Sequence, residues 1–221
     1  MTATPLTFGT AGLRGPMREG LDAMNVTTVS QATWAVAKVL KDRGLGGSTV
    51  VVGRDARHHS DEFAIATAEI LAAQGFSVTL LPHAAPTPVL AYATRQRNAV
   101  AGVQITASHN PPADNGYKVY FDGGIQIVPP TDLDIETAMQ QAPTDIARQP
   151  VTPTDEALVE QYASRAAGTR SRSQQQNFQR QPPSRGRWPL RAMNQLAAAP
   201  PTNAARVPQQ PGLADGWIST P

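Results

Sequence analysis

The chain has 221 residues, 40% of them hydrophobic, no cysteine and a formal net charge of +2. The lack of cysteine excludes a disulfide framework and a thiolate metal site. No apolar run approaches the roughly 18–20 residues of a membrane span, and Met1 to Phe8 lacks the basic and apolar regions of a secretory signal. A soluble cytoplasmic protein is the expectation. The mean charge also hides a division near Arg165. Residues 1–165 hold three lysines and nine arginines against sixteen acids, a net of −4, whereas residues 166–221 hold seven arginines against Asp215, a net of +6.

After a glycine-rich opening (Gly9, Gly12, Gly15), Asn25 or Thr27 is placed to cap a helix running to about Arg43. Val29, Ala32, Ala35, Val36, Val39 and Leu40 have the three-and-four spacing of a buried stripe. Thr49 to Val52 reads as a short buried strand. Ser60 or Asp61 starts a second helix, with Phe63, Ile65, Ala68, Ile70 and Leu71 inward and Gly75 ending it. Phe76 to Leu81 is a further strand, Pro86 or Thr87 opens a helix to about Arg97, and Ala99 to Thr106 forms a third strand. The segments Gly116–Phe121 and Ile125–Val128 read as a hairpin turning at Asp122-Gly123-Gly124. Helices are predicted from Thr131 or Asp132 to about Gln141 and from Thr154 towards Tyr162.

Strands alternating with helices over short connections predict an α/β fold, a three-layer α/β/α domain over residues 1–165 with a mixed, mostly parallel sheet. Residues 166–221 break this grammar. They are rich in arginine, proline and glutamine, with almost no acids and no apolar period, and a disordered tail is expected. Arginine without lysine, beginning abruptly, also suggests a GC-rich gene translated in the wrong frame.

The third strand delivers the chain to Thr106-Ala107-Ser108-His109-Asn110-Pro111-Pro112. Ser108 has three readings. A hydrolase nucleophile would need the G-x-S-x-G elbow, which is absent. A loop serine that bonds only to its neighbours is the plain structural reading. A phosphate carrier would need nearby cations to hold about two negative charges, and His109 and Lys118 are candidates. Thr106 serves the same loop or is simply a β-branched residue at a strand end. Arg54 and Asp55 read as a structural ion pair at the end of the Thr49 strand. His58, His59 and His83 lack ligand spacing and read as surface residues.

Four segments together resemble the α-D-phosphohexomutases, the phosphoglucomutase/phosphomannomutase family. They are Phe8 to Gly15, Val52 to Arg57 followed by Ser60, Thr106 to Pro111, and Asp114 to Tyr120. The resemblance covers about residues 5–165 and implies interconversion of hexose 1- and 6-phosphates through a sugar bisphosphate. It implies that Ser108 gives and takes the phosphoryl group and, once phosphorylated, ligates Mg²⁺. It implies that Arg14 bridges phosphate oxygens, that Lys118 accepts a proton from the incoming hydroxyl, and that His109 and Asn110 position the loop and substrate.

Full-length members of that family have four domains, and their "DGDxDR" metal loop, sugar-selecting loop and phosphate-binding loop have no counterpart after Arg165. The expectation is a phosphate-carrying domain I that folds but shows no meaningful mutase turnover. The preferred sugar, whether glucose, mannose or pentose phosphate, is not encoded in these motifs. The competing reading, a nucleic-acid-binding module built on the basic tail, is weakened by the acidic front and by the isolation of Trp188 and Trp217.

Overall fold

Alternation of β-branched strands with amphipathic helices builds a six-stranded sheet in the computed structural model, which describes residues 4–153. The elements in chain order are β1 (Leu13–Pro16), α1 (Val26–Asp42), β2 (Thr49–Arg54), α2 (Ser60–Ala73), β3 (Ser77–Leu80), α3 (Thr87–Gln96), β4 (Ala101–Ile105), β5 (Asp114–Phe121), β6 (Ile125–Gln126) and α4 (Thr131–Met139). The helix expected from Thr154, the boundary at Arg165 and the tail 166–221 lie outside the described residues.

The sheet order is β1-β5-β4-β2-β3, with β6 also paired to β5. The β3-β2-β4 side, ending at the β3 edge, is parallel, as expected from the βαβ grammar. Strand β5 runs against it, so its ladders with β4, β1 and β6 are antiparallel. The sheet is therefore mixed, parallel on one side and antiparallel on the other.

Helix α1 begins where the sequence offers an amide. The Asn25 side chain accepts from the Thr28 N–H at 2.9 Å, and its own NH₂ donates to the carbonyls of Arg18 and Gly20. It therefore caps the helix and ties down the preceding loop. The helix ends at Gly44 (φ 75°), and the Leu45 N–H returns to the Leu40 carbonyl at 2.9 Å. Val29, Val36 and Leu40 are fully buried, each burial contributing about 1.5–3 kcal/mol.

Helices α1, α2 and α4 cover one sheet face, where Val50, Val52, Val103, Ile105, Tyr117 and Val119 meet Ala32, Val36, Phe63, Leu71 and Ile135. The Tyr117 hydroxyl in that layer lies 3.0 Å from the Thr33 hydroxyl, and burial pushes its pKa up. On the other face, α3 packs Leu90 and Ala93 against Val51, Ala99 and Tyr120. Crossovers on both faces make the doubly covered sheet of an α/β/α domain. No helix among the described residues is long and apolar enough to cross a membrane.

Two local expectations need correction. Ile65 is 45% exposed rather than inward. It is three residues after Glu62 and four before Glu69, so it belongs to the solvent stripe of α2, and helical phase overrides its hydrophobicity. The second hairpin strand stops at Gln126 instead of Val128. Ile127 is buried and bonds to Val119, but Val128 is exposed and Pro129-Pro130 has no N–H to continue the ladder. Strand β1 is an addition, since the glycine-rich opening gave no strand pattern.

Candidate functional site: the Ser108 loop and its cations

All five residues of β4 are buried, so the strand is a rigid support for the loop that leaves it. The strand continues through Thr106, whose N–H bonds to the Gly116 carbonyl at 2.9 Å. The chain then turns outward. Ala107 is buried, Ser108 and His109 are exposed and Asn110 is half-buried. Ser108 has φ 58°, a left-handed conformation uncommon for a residue with a side chain. Its N–H donates to the Thr106 hydroxyl at 3.0 Å, so Thr106 does serve the loop. The Asn110 N–H bonds to the Ala107 carbonyl and the Asp114 N–H to the Pro111 carbonyl, closing two further turns.

The site lies where the sheet topology changes direction. Strands β2 and β4 are neighbours, but β2 leads through α2 to β3 on one side, and β4 leads to β5 on the other. Their carboxyl ends therefore open beside each other, the position at which open α/β sheets accept ligands. The loop after β2 carries Asp55 and Arg57, and the loop after β4 carries Ser108.

Arg14 and Lys118 lie on the antiparallel flank, and Arg14 reaches the loop at Asn110. Residue alternation sends Tyr117 and Val119 into the α1 layer, and Lys118 and Tyr120 to the opposite face. Arg14 is paired with Gly116, two residues from Lys118, and thus shares that face. The approach is close. A Cβ on Gly116 would lie 2.6 Å from the Thr106 carbonyl oxygen and 2.7 Å from that of Leu13, and one on Gly12 would lie 1.9 Å from that of Tyr117. These glycines give the backbones room to meet.

Arg14 Nη1 donates to Asn110 Oδ1 at 3.5 Å, a long contact, while Asn110 Nδ2 donates to Asp114 Oδ2 at 3.0 Å. Asn110 is thus held between a cation and an anion. Arg14 Nε is buried without a hydrogen-bond partner. Burial lowers the Lys118 pKa, and the neighbouring Arg14 charge lowers it further. The same burial raises the Tyr120 pKa, with Arg14 opposing it.

The expected Arg54–Asp55 pair is not formed. Arg54 Nη1 reaches only the Asp55 backbone carbonyl, at 3.4 Å, because adjacent side chains at a strand end diverge. The Asp55 carboxylate pairs with Arg57 (Nε to Oδ2, 3.3 Å) and accepts from the Arg57 N–H and the Ser60 hydroxyl. Arg57 in turn donates to the carbonyls of Ser108, Asn110, Pro111 and Asp114 at 2.8–3.0 Å. Asn115 completes the support by donating to the His58 carbonyl and the Ser60 hydroxyl. His58, His59 and His83 are exposed.

Among the described residues no group of three or more histidine, aspartate or glutamate side chains could hold a metal ion. The nearby carboxylates are both engaged, Asp114 by Asn110 and Asp55 by Arg57. An oxygen on Ser108 falls far short of the roughly six ligands of an octahedral Mg²⁺. These residues do not by themselves make a magnesium site.

The α/β/α fold agrees with comparison to known proteins. The family model described as "Phosphoglucomutase/phosphomannomutase, alpha/beta/alpha domain I" matches residues 5–145. A Haemophilus influenzae protein named "Probable phosphomannomutase" is 53% identical over 115 residues, 51% of this chain and 24% of that protein. A Saccharomyces cerevisiae protein named "Phosphoribomutase" is 45% identical over 135 residues, 60% of this chain and 22% of that protein. A solved phosphoglucomutase/phosphomannomutase family protein from Burkholderia thailandensis superposes with a TM-score of 0.57 at 26% identity, covering 73% of this chain and 35% of that one. The chain thus spans about a quarter of the length of these curated relatives.

Proposed function

The chain belongs to the phosphoglucomutase/phosphomannomutase family, as its domain I, and from that premise we propose that it carries a phosphoryl group on Ser108 for transfer to and from sugar phosphates. The observation that supports this most is the convergence of Arg14 and Lys118, from separate strands, on the sheet face beside the exposed Ser108 loop. A loop serine with only a structural role would not require two cations held close enough for one to depress the other's pKa.

In this reading Ser108 begins as phosphoserine. Arg14 presents its planar fork, including the unpartnered Nε, to the phosphate oxygens. A sugar hydroxyl oxygen forms the new bond to phosphorus as the bond to Ser108 Oγ breaks, and Oγ leaves with the electron pair. Lys118, whose lowered pKa increases its neutral fraction, takes the hydroxyl proton and returns it to Oγ. The products are a serine and a sugar phosphate ester, and the reverse sequence reloads the serine. His109 and Asn110 border the transfer path, Asn110 by aligning Arg14. In a complete family member Mg²⁺ would supply charge neutralisation.

Substrates of this class are hexose or pentose monophosphates and their bisphosphates. With two cations on an open face and no metal cluster among the described residues, the isolated chain is proposed to load but not to turn over. The test is incubation with glucose 1,6-bisphosphate followed by intact-mass analysis, with Ser108→Ala as control and a coupled mutase assay alongside. Loading of the wild type without turnover supports the reading. Mutase rates comparable with a complete family member would refute the inactivity, and loading independent of Ser108 would refute the carrier.

A further inference from the structure

We propose that Arg57 is a positioning residue for phosphate transfer at Ser108, acting through the backbone of the loop and not by touching the phosphate. The proposal rests on the reading of Ser108 as the phosphate carrier. Four carbonyl oxygens converge on this one guanidinium. Nη1 donates to Pro111 (2.8 Å) and Asp114 (3.0 Å), and Nη2 donates to Ser108 (2.9 Å) and Asn110 (2.8 Å). The third nitrogen, Nε, faces Asp55 at 3.3 Å. All five N–H donors of the fork therefore have a role.

The arrangement has two consequences for chemistry at Ser108. The first is conformational. A non-glycine residue at φ 58° persists only where its surroundings over-determine it. Here the N–H of Ser108 is held by Thr106 and its carbonyl by Arg57, so the left-handed conformation is fixed at both ends. The second is electrostatic. A phosphoserine carries about two negative charges, and a carbonyl oxygen turned towards it would oppose them. Arg57 turns four such oxygens towards itself. Its own charge is met by Asp55, so its influence reaches the phosphate through the orientation of the loop.

Lysine cannot reproduce this. An ammonium has three donors on a flexible stem and no planar fork. With only 15% of its side chain exposed, the guanidinium is also shielded from the water that would compete for these carbonyls. The anchor is equally specific. Asp55 accepts from Arg57 N–H (3.0 Å) and Ser60 Oγ (2.7 Å), and its own N–H bonds to the Ile105 carbonyl (3.0 Å). This fixes the β2 loop to the end of β4. The role of the arginine in the Gly53-to-Arg57 segment is thus to carry the order of one loop into the next.

The experiment uses the full chain as wild type, Arg57→Gln and Arg57→Lys. Thermal unfolding reports the global fold. The intraresidue amide–Hα NOE of Ser108 in ¹⁵N-labelled protein reports the left-handed conformation, and intact mass follows phosphate uptake from glucose 1,6-bisphosphate. The expected result is that Arg57→Lys, which keeps a cation beside Asp55, unfolds within a few degrees of wild type. It nevertheless loses the strong Ser108 NOE and takes up phosphate about 10- to 100-fold more slowly. Arg57→Gln is expected to show the larger defect. Retention of both the NOE and the wild-type uptake rate in Arg57→Lys would reduce the residue to a structural cation and overturn the proposal. Failure of the underlying carrier reading would instead appear in the wild type as no uptake at Ser108. In that event persistence of the NOE in the variants would overturn the loop-holding role as well, and its loss would uphold that role.

Discussion

Gly12 permits two backbones to approach where a methyl group would collide, and it does so at φ 77°. The predicted Gly12→Ala change therefore combines a left-handed backbone with a Cβ 1.9 Å from the Tyr117 carbonyl oxygen. It is expected to cost about 2–4 kcal/mol in urea unfolding, whereas Gly9→Ala, with nothing within 4 Å, should stay within about 0.5 kcal/mol. Equal effects would contradict the close-approach argument. Lys118 carries the opposite kind of tension. Its folded pKa is lowered below 10.5, first by burial and then by Arg14. Between the folded value and 10.5 the unfolded chain binds more protons, so wild-type stability rises with pH through that window. The penalty is fully present below it. Lys118→Gln should therefore raise the unfolding midpoint near neutral pH, lose that advantage as pH approaches 10.5, and slow phosphate uptake. A midpoint lowered at neutral pH would show that the lysine charge stabilises the fold instead.

At the level of elements, helix α2 separates pattern from composition. Phe63 is 3% exposed and Ile65 45% exposed, two residues apart on one helix. Phe63→Ala is expected to cost about 3–5 kcal/mol, and Ile65→Glu to stay within about 0.5 kcal/mol, both read by chemical denaturation. A severe loss with Ile65→Glu would mean that this stripe packs against something in solution. The helices were legible in the sequence because apolar spacing and caps such as Asn25 are local signals. The parallel β3-β2-β4 block followed from short βαβ connections. Strand β1 was not legible, because Leu13–Pro16 is short and its partner Asp114–Tyr117 lies about a hundred residues away. The site was readable in part. Arg14, Ser108, Asn110 and Lys118 stood in motifs, and the structure places Arg14 against Asn110 and on the same face as Lys118. What Arg57 does was hidden, because four of its partners are backbone carbonyls, which no side-chain pattern records. The Arg54–Asp55 expectation failed for a related reason. Adjacency in sequence is not adjacency across a strand.

For the molecule as a whole, the asymmetry of the layers matters most. Helices α1, α2 and α4 cover one face, while α3 packs on the other beside the half-buried Arg14 and Lys118. The switch between β2 and β4 then places the Ser108 loop at the edge of this sheet, its backbone held by Arg57, with Arg14 against Asn110 and Lys118 on the same face as Arg14. These parts are proposed to constitute a phosphate carrier, and the mass of the chain after exposure to glucose 1,6-bisphosphate is the direct test. The expected result is a single added phosphate, localised to Ser108 by fragmentation and absent from Ser108→Ala. An unmodified wild type, or a phosphate that persists in Ser108→Ala, would contradict it.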